Sequence, residues 1–286
     1  MMLGHIHVKI LLVLPWMLLC VTLVFVVSNQ DISVLDGASS ISDAAFVPFD
    51  LREALSFLPL GNRDCDGLKE TLTPIFQWPE GFKKTEKEHE DTFRKYLLAD
   101  PKRPEGHSGQ QLEQKMVYMK LVQLPFVKTV CETGFNGGHS TLVWLAANPN
   151  TKVYSFDNAD HEYAEKMAQH LQAKYPGRLT VTWGFSEKTL PKFAEEHPEV
   201  KCDLIIVDGG HTFEVATEDF LNFRNMANPK NIVVFDDHPT KNNRFQSKLA
   251  RAWETQIRSG LLAEQFACEK DNHRGFSLGH FIMTGT

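Results

Sequence analysis

The chain has 286 residues, 42% hydrophobic and 23% charged, the proportions of an ordinary globular protein with room for one full α/β domain and additions. A formal net charge of −6 provides no basic footprint, which removes nucleic acid from the expected partners. Internal repeats and low-complexity tracts are absent.

The chain opens on an uncharged run, ILLVLPWMLLCVTLVFVV, from Ile10 to Val27. As a helix it would reach roughly 27 Å, close to the thickness of a bilayer's hydrocarbon core. A cleaved leader is the rival reading, but the exit Val26-Val27-Ser28-Asn29-Gln30 lacks a small-x-small site. The expectation is a retained transmembrane signal-anchor. Lys9 precedes it, and Asp31 and Asp36 follow it. The positive-inside rule then leaves residues 1–9 in the cytoplasm and the rest in a lumen, as a type II single-pass protein of the endoplasmic reticulum or Golgi. Residues 28–50 are polar and Ser-rich and read as a stem.

Residues 51–110 read as a helical extension. LREALSFL has helical spacing, and FKKTEKEHEDTFRKYLL is a charged helix stopped by Asp100-Pro101. Cys65, Cys131, Cys202 and Cys268 lack metal-ligand spacing, and Cys131 and Cys202 read as small apolar residues of buried strands.

From Gln111 onward the pattern becomes regular. QLEQKMVYMKLVQ is a helix ended by Pro125, and five β-rich runs follow at helix-length intervals. They are Thr129–Thr133, Lys152–Asp157, Leu179–Trp183, Cys202–Asp208 and Asn231–Asp237. Such alternation predicts right-handed βαβ units and a parallel sheet. After the helix FQSKLARAWETQIRSG, the runs EQFACE and GFSLGHFIM form a hairpin around KDNHR.

In open α/β sheets, ligands gather beyond the carboxyl ends of the strands. Strand one ends in Glu132-Thr133-Gly134-Phe135-Asn136-Gly137-Gly138-His139-Ser140, a turn that lets backbone approach a ligand before a helix begins. Strand two ends in Asp157, a carboxylate suited to a ribose diol. A nicotinamide dinucleotide would want Gly-x-Gly-x-x-Gly for its pyrophosphate, whereas here an acid, Glu132, opens the motif. At these residues the sequence resembles the class I S-adenosylmethionine (SAM)-dependent methyltransferases, over roughly Gln111 to Met283. The resemblance implies a Rossmann-like, mostly parallel seven-stranded sheet with a C-terminal antiparallel hairpin in a domain spanning 111–286. It also implies SAM contacts from Glu132, Gly134, Gly138, Ser140 and Asp157, with Phe185 and Ser186 flanking the adenine.

Strand four ends in Asp208-Gly209-Gly210-His211 and strand five in Asp236-Asp237-His238. Carboxylates that converge repel unless a cation joins them, and all-oxygen donors suit a hard ion such as Mg²⁺. The pattern is similar to metal-dependent O-methyltransferases, closest to those that methylate sugars in macrolide biosynthesis. That likeness implies Asp208, Asp236 and Asp237 as metal ligands, with His238 an open replacement for one of the last two, and Asp208 and His211 catalytic with His211 the general base. The expected acceptor carries hydroxyls, as a glycan or a small molecule does. The alternatives are a metal-independent small-molecule or protein N-methyltransferase and an inactive interaction domain. A helix cap is the plain alternative for Asp208 and for Ser186. His107 and Ser108, just before the helix that leads into strand one, are weighed as a lid over the cofactor and not adopted.

Overall fold

The computed structural model describes residues 50–59, 64–100, 102, 110–238, 246–270 and 273–283. The expected span and stem fall outside that set, as do His107 and Ser108. Among the described residues, no helix is long and apolar enough to cross a membrane.

Seven strands make one sheet: β1 (Thr129–Thr133), β2 (Lys152–Asp157), β3 (Leu179–Trp183), β4 (Cys202–Val207), β5 (Ala227–His238), β6 (Leu262–Lys270) and β7 (His273–Phe281). Their order is β3-β2-β1-β4-β5-β7-β6. The first five are parallel, and β7 slots antiparallel between β5 and β6, the hairpin layout expected from the sequence. β5 starts at Ala227, ahead of the expected Asn231.

The helices are α1 (Leu51–Ala54), α2 (Asp66–Leu72), α3 (Phe82–Leu97), α4 (Leu112–Val122), α5 (His139–Ala147), α6 (Glu162–Lys174), α7 (Ser186–Glu196), α8 (Phe213–Met226) and α9 (Gln246–Arg258). Side chains alternate across a strand, and this sheet is buried on both faces. Val130, Leu204, Ile206, Ile232 and Val234 face a core shared with α4, α5 and α6. Ile205, Val207, Val233 and Phe235 face a second core built with α7, α8 and α9. The strands therefore read as near-continuous hydrophobic runs, as parallel strands covered by helices must.

The extension is part of the first core. Leu51, Leu55, Leu68, Leu72, Phe82 and Phe93 are buried in the same cluster as the sheet residues. Phe93 alone, at 4% exposure, stabilises that packing by about 2–3 kcal/mol.

The cysteine expectation is corrected. Cys131 and Cys202 are fully buried in the core, as expected, but they are bonded to each other across the β1–β4 seam. A second disulfide, Cys65–Cys268, ties the extension to β6. Partners 71 and 203 residues apart show no local spacing, and only the strand order brings them together.

Candidate active site

The turn after β1 is built around positions that side chains would block. Gly134 has φ +88°, and a Cβ there would lie 1.9 Å from the carbonyl oxygen of Asp208. The tips of β1 and β4 therefore meet backbone to backbone. Gly138, at φ +72°, is the N-cap of α5 and offers no side-chain cap. The first-turn N–H groups of α5 thus have no side chain from the N-cap to satisfy them, and a helix start of that kind attracts anionic groups.

Asp157 closes the opposite wall. Its Oδ2 accepts from the Asn136 N–H at 2.8 Å and its Oδ1 from the Ala159 N–H at 2.7 Å. Asn136 (φ 48°) and Ala159 (φ 57°) are the positive-φ non-glycine residues among those described. Each such conformation costs about 1–2 kcal/mol. One carboxylate therefore holds two strained residues in place. The Tyr163 hydroxyl donates to Asn136 Oδ1 at 2.6 Å and steadies the same corner.

Glu132 is held by side chains of the helix that follows it. It is 1% exposed, on the sheet face that carries Val130. Its oxygens accept from Ser140 Oγ at 2.9 Å, Trp144 Nε1 at 2.9 Å and Thr141 Oγ1. Burial pushes its pKa up, and these donors oppose that. Glu132 bolts α5 onto β1, and the hydroxyl of Ser140 is used in the same bond.

The third wall is the loop after β3. Phe185 is the N-cap residue of α7 and, at 58%, one of the exposed large apolar side chains. Ser186 is the first residue of that helix, so it is not the cap. Asp219 of α8 is fully buried beside Ser186 and Thr133, and burial pushes it up to about 6.

Residues 131–238 match the family model described as a methyltransferase domain. The matched stretch runs from within β1 to the end of β5. Comparison of the sequence with curated proteins gives no match. Among solved structures, the chain is similar to the O-methyltransferase TomG of Streptomyces achromogenes, involved in tomaymycin synthesis and solved with SAM. That pair is 16% identical with a TM-score of 0.54, over 78% of this chain and 99% of the other. An O-methyltransferase from Bacillus cereus, in complex with SAH, is 14% identical with a TM-score of 0.56, over 76% and 97%. The SAH-bound methyltransferase PaMTH1 of Podospora anserina is 13% identical with a TM-score of 0.55, over 79% and 98%. At these identities the likeness establishes the fold, which is that of SAM-dependent O-methyltransferases.

The second mouth of the site lies at the tips of β4 and β5, where Val207 pairs with Phe235. Asp236 is 7% exposed, and its Oδ1 accepts from the Tyr118 hydroxyl at 2.9 Å and from Gln114 Nε2. Gln114 Nε2 also reaches the Tyr118 oxygen at 2.7 Å. Burial raises the Tyr118 pKa well above its ordinary value, and the charges of Asp236 and then Asp208 add to this. Both carboxylates thus bear on one buried phenol. Asp237 follows on β5, with its side chain outside the described set. Among the described residues, no three His, Cys, Asp or Glu side chains are grouped to hold a metal.

Helix α8 begins at Phe213, and the Thr212 hydroxyl caps it by accepting from the Val215 N–H at 3.2 Å. Asp208 and His211 are therefore not used as caps. The half-buried His211 stays in the loop between the strand and the helix. Sequence reasoning missed Gln114 and Tyr118. Their signal was present: two polar-tipped residues four apart share one stripe of a helix buried along most of its length.

Proposed function

We propose that this methyltransferase transfers the methyl group of SAM to a hydroxyl of its acceptor, a glycan or a hydroxyl-bearing small molecule. The observation that carries the reading is the pairing of two mouths on one sheet. A donor cup formed by Gly134, Gly138, Asp157, Phe185 and Ser186 adjoins a carboxylate mouth formed by Asp208 and Asp236, and the two touch where Gly134 meets Asp208. Glu132 and Ser140 serve the cup from behind by fixing α5.

In this reading, His211 takes the proton of the acceptor hydroxyl. The oxygen then bonds to the methyl carbon as the carbon–sulfur bond breaks, and S-adenosylhomocysteine leaves. Fixed alignment of oxygen, carbon and sulfur supplies much of the acceleration. Asp208 and Asp236, with Asp237 next in the chain, would be the donors for a hard divalent cation such as Mg²⁺. When bound, such an ion would lower the pKa of the acceptor hydroxyl. Tyr118 and Gln114 hold Asp236 in its rotamer.

We also place the domain in a lumen, anchored by residues 10–27 as a type II membrane protein. The disulfides support this, since such bonds persist in oxidising compartments.

Purified protein is to be assayed for SAM binding by calorimetry and for methylation of a panel of sugars and catechols. H211A and D208A should each keep SAM affinity while losing about 10²–10³-fold in turnover. EDTA should abolish activity, and Mg²⁺ or Mn²⁺ should restore it. Full activity in EDTA would reduce the reading to a metal-independent transfer, and wild-type turnover in both variants would end it.

A further inference from the structure

Helix α3 belongs to the extension, far from the glycine turn in sequence, yet it bears on the centre of that turn. The His89 Nε2 meets the carbonyl oxygen of Gly137 at 2.9 Å, fully buried. A carbonyl only accepts, so Nε2 carries the proton. Its Nδ1 is buried without a hydrogen-bond partner. Burial holds the ring neutral by pushing its pKa down to about 3, with the neighbouring His139 and His170 adding to the effect.

The Gly137–Gly138 peptide is the unit on which the start of α5 depends. Flanked by two glycines, it is the peptide most easily flipped in this turn. Its N–H end donates to the Phe135 carbonyl at 2.7 Å, and its C=O end is held by His89. Phe93, one turn further along α3, stands where a Cβ on Gly137 would come within 2.8 Å of its ring. The same phenyl packs edge-on against His139, the first residue of α5, at 4.8 Å between centroids. The end of the extension is pinned beside the other wall of the cup, where Lys102 Nζ donates to the Asp160 carbonyl at 2.6 Å.

We infer that His89 is a positioning residue for the methyl donor: by holding the Gly137 carbonyl, it fixes the glycine turn and the first turn of α5 in the form that binds SAM. The inference rests on the SAM-binding reading above. It makes the extension a working part of the donor site, and it is independent of any metal.

Calorimetric titration of the full chain with SAM, alongside thermal melts, tests this with two substitutions. H89L keeps bulk and removes the donor, whereas H89Q places an amide N–H near the position of Nε2. H89L should bind SAM about tenfold more weakly, the effect of one lost hydrogen bond. H89Q should stay within about threefold of wild type by the same measure. A general packing role would weaken both alike and lower both melting temperatures in step, and that result would overturn the inference. Wild-type affinity in H89L would overturn it too. If H89L does not fold, H89N takes its place, because its shorter amide stops short of Gly137. A wild-type chain that binds no SAM would instead sink the functional reading on which this one stands.

Discussion

The two mouths of the site are held by different means. On the donor side, most contacts are local. Asp157 is bonded to Asn136 and Ala159, Glu132 to Ser140, Thr141 and Trp144, and each partner lies within about one strand–helix unit. On the acceptor side, Asp236 is held by Gln114 and Tyr118, 122 and 118 residues earlier in the chain. Local contacts assemble the cup as the β-α-β unit folds, whereas the acceptor mouth exists only once α4 and β5 have come together across the sheet. The donor cup is therefore the more robust half, and the acceptor mouth should depend on long-range ties.

The largest effect should come from cutting such a tie. Cys65–Cys268 closes a loop with a sequence separation of 203 residues, and the chain-entropy model assigns such a closure about 5 kcal/mol. Total domain stabilities run to only about 5–15 kcal/mol, so C65S/C268S should lose a large part of its stability. Equilibrium urea unfolding of oxidised wild type against the double variant measures this. Cys131–Cys202, with a separation of 71, should count for slightly less, about 4 kcal/mol. If the order of the two losses were reversed, the entropic account would be inadequate and strain or core packing would dominate.

A smaller but sharper contrast comes from one change on each side. D157A removes the acceptor of two backbone N–H groups and frees two strained residues, so SAM affinity should fall by about 100-fold, or ~3 kcal/mol. Y118F removes one of the two donors to Asp236 and should leave SAM affinity unchanged while turnover drops about tenfold. Equal losses of SAM affinity in both variants would show that the two mouths are a single coupled unit.

What could be read from the sequence follows the same division. The five parallel strands and the final hairpin were legible because doubly covered strands advertise themselves as runs such as CDLIIVD and NIVVFDD. The glycine turn and Asp157 were legible because strand ends in this architecture are where ligands gather. The inward aim of Glu132 was not read, although strand alternation puts it on the face of Val130, beneath the helix that follows. The disulfides, Tyr118 and His89 depend on which distant elements become neighbours. No local period encodes that.

The smallest effect concerns two buried groups with opposite signs. His89 on the donor side is held down at about 3 against an unfolded value of 6.5. Its unfolded form takes up protons first, so its contribution to stability is complete above pH 6.5 and declines as pH falls toward 3. Asp219, between the two mouths, is held up at about 6 against 3.8. Its folded form keeps the proton longer, so its contribution is complete below pH 3.8 and declines as pH rises toward 6. Between pH 4 and 6 the two slopes, each about 1.4 kcal/mol per pH unit at most, oppose one another. Relative to wild type, D219N should therefore add a rise of about 1 kcal/mol per pH unit across that window, and H89Q should add a fall of similar size. Urea midpoints at pH 4.5, 5 and 5.5 for the three proteins would reveal both slopes. Parallel curves for all three would show that neither group titrates as its burial requires, and the buried neutral imidazole beneath the glycine turn would lose its physical basis.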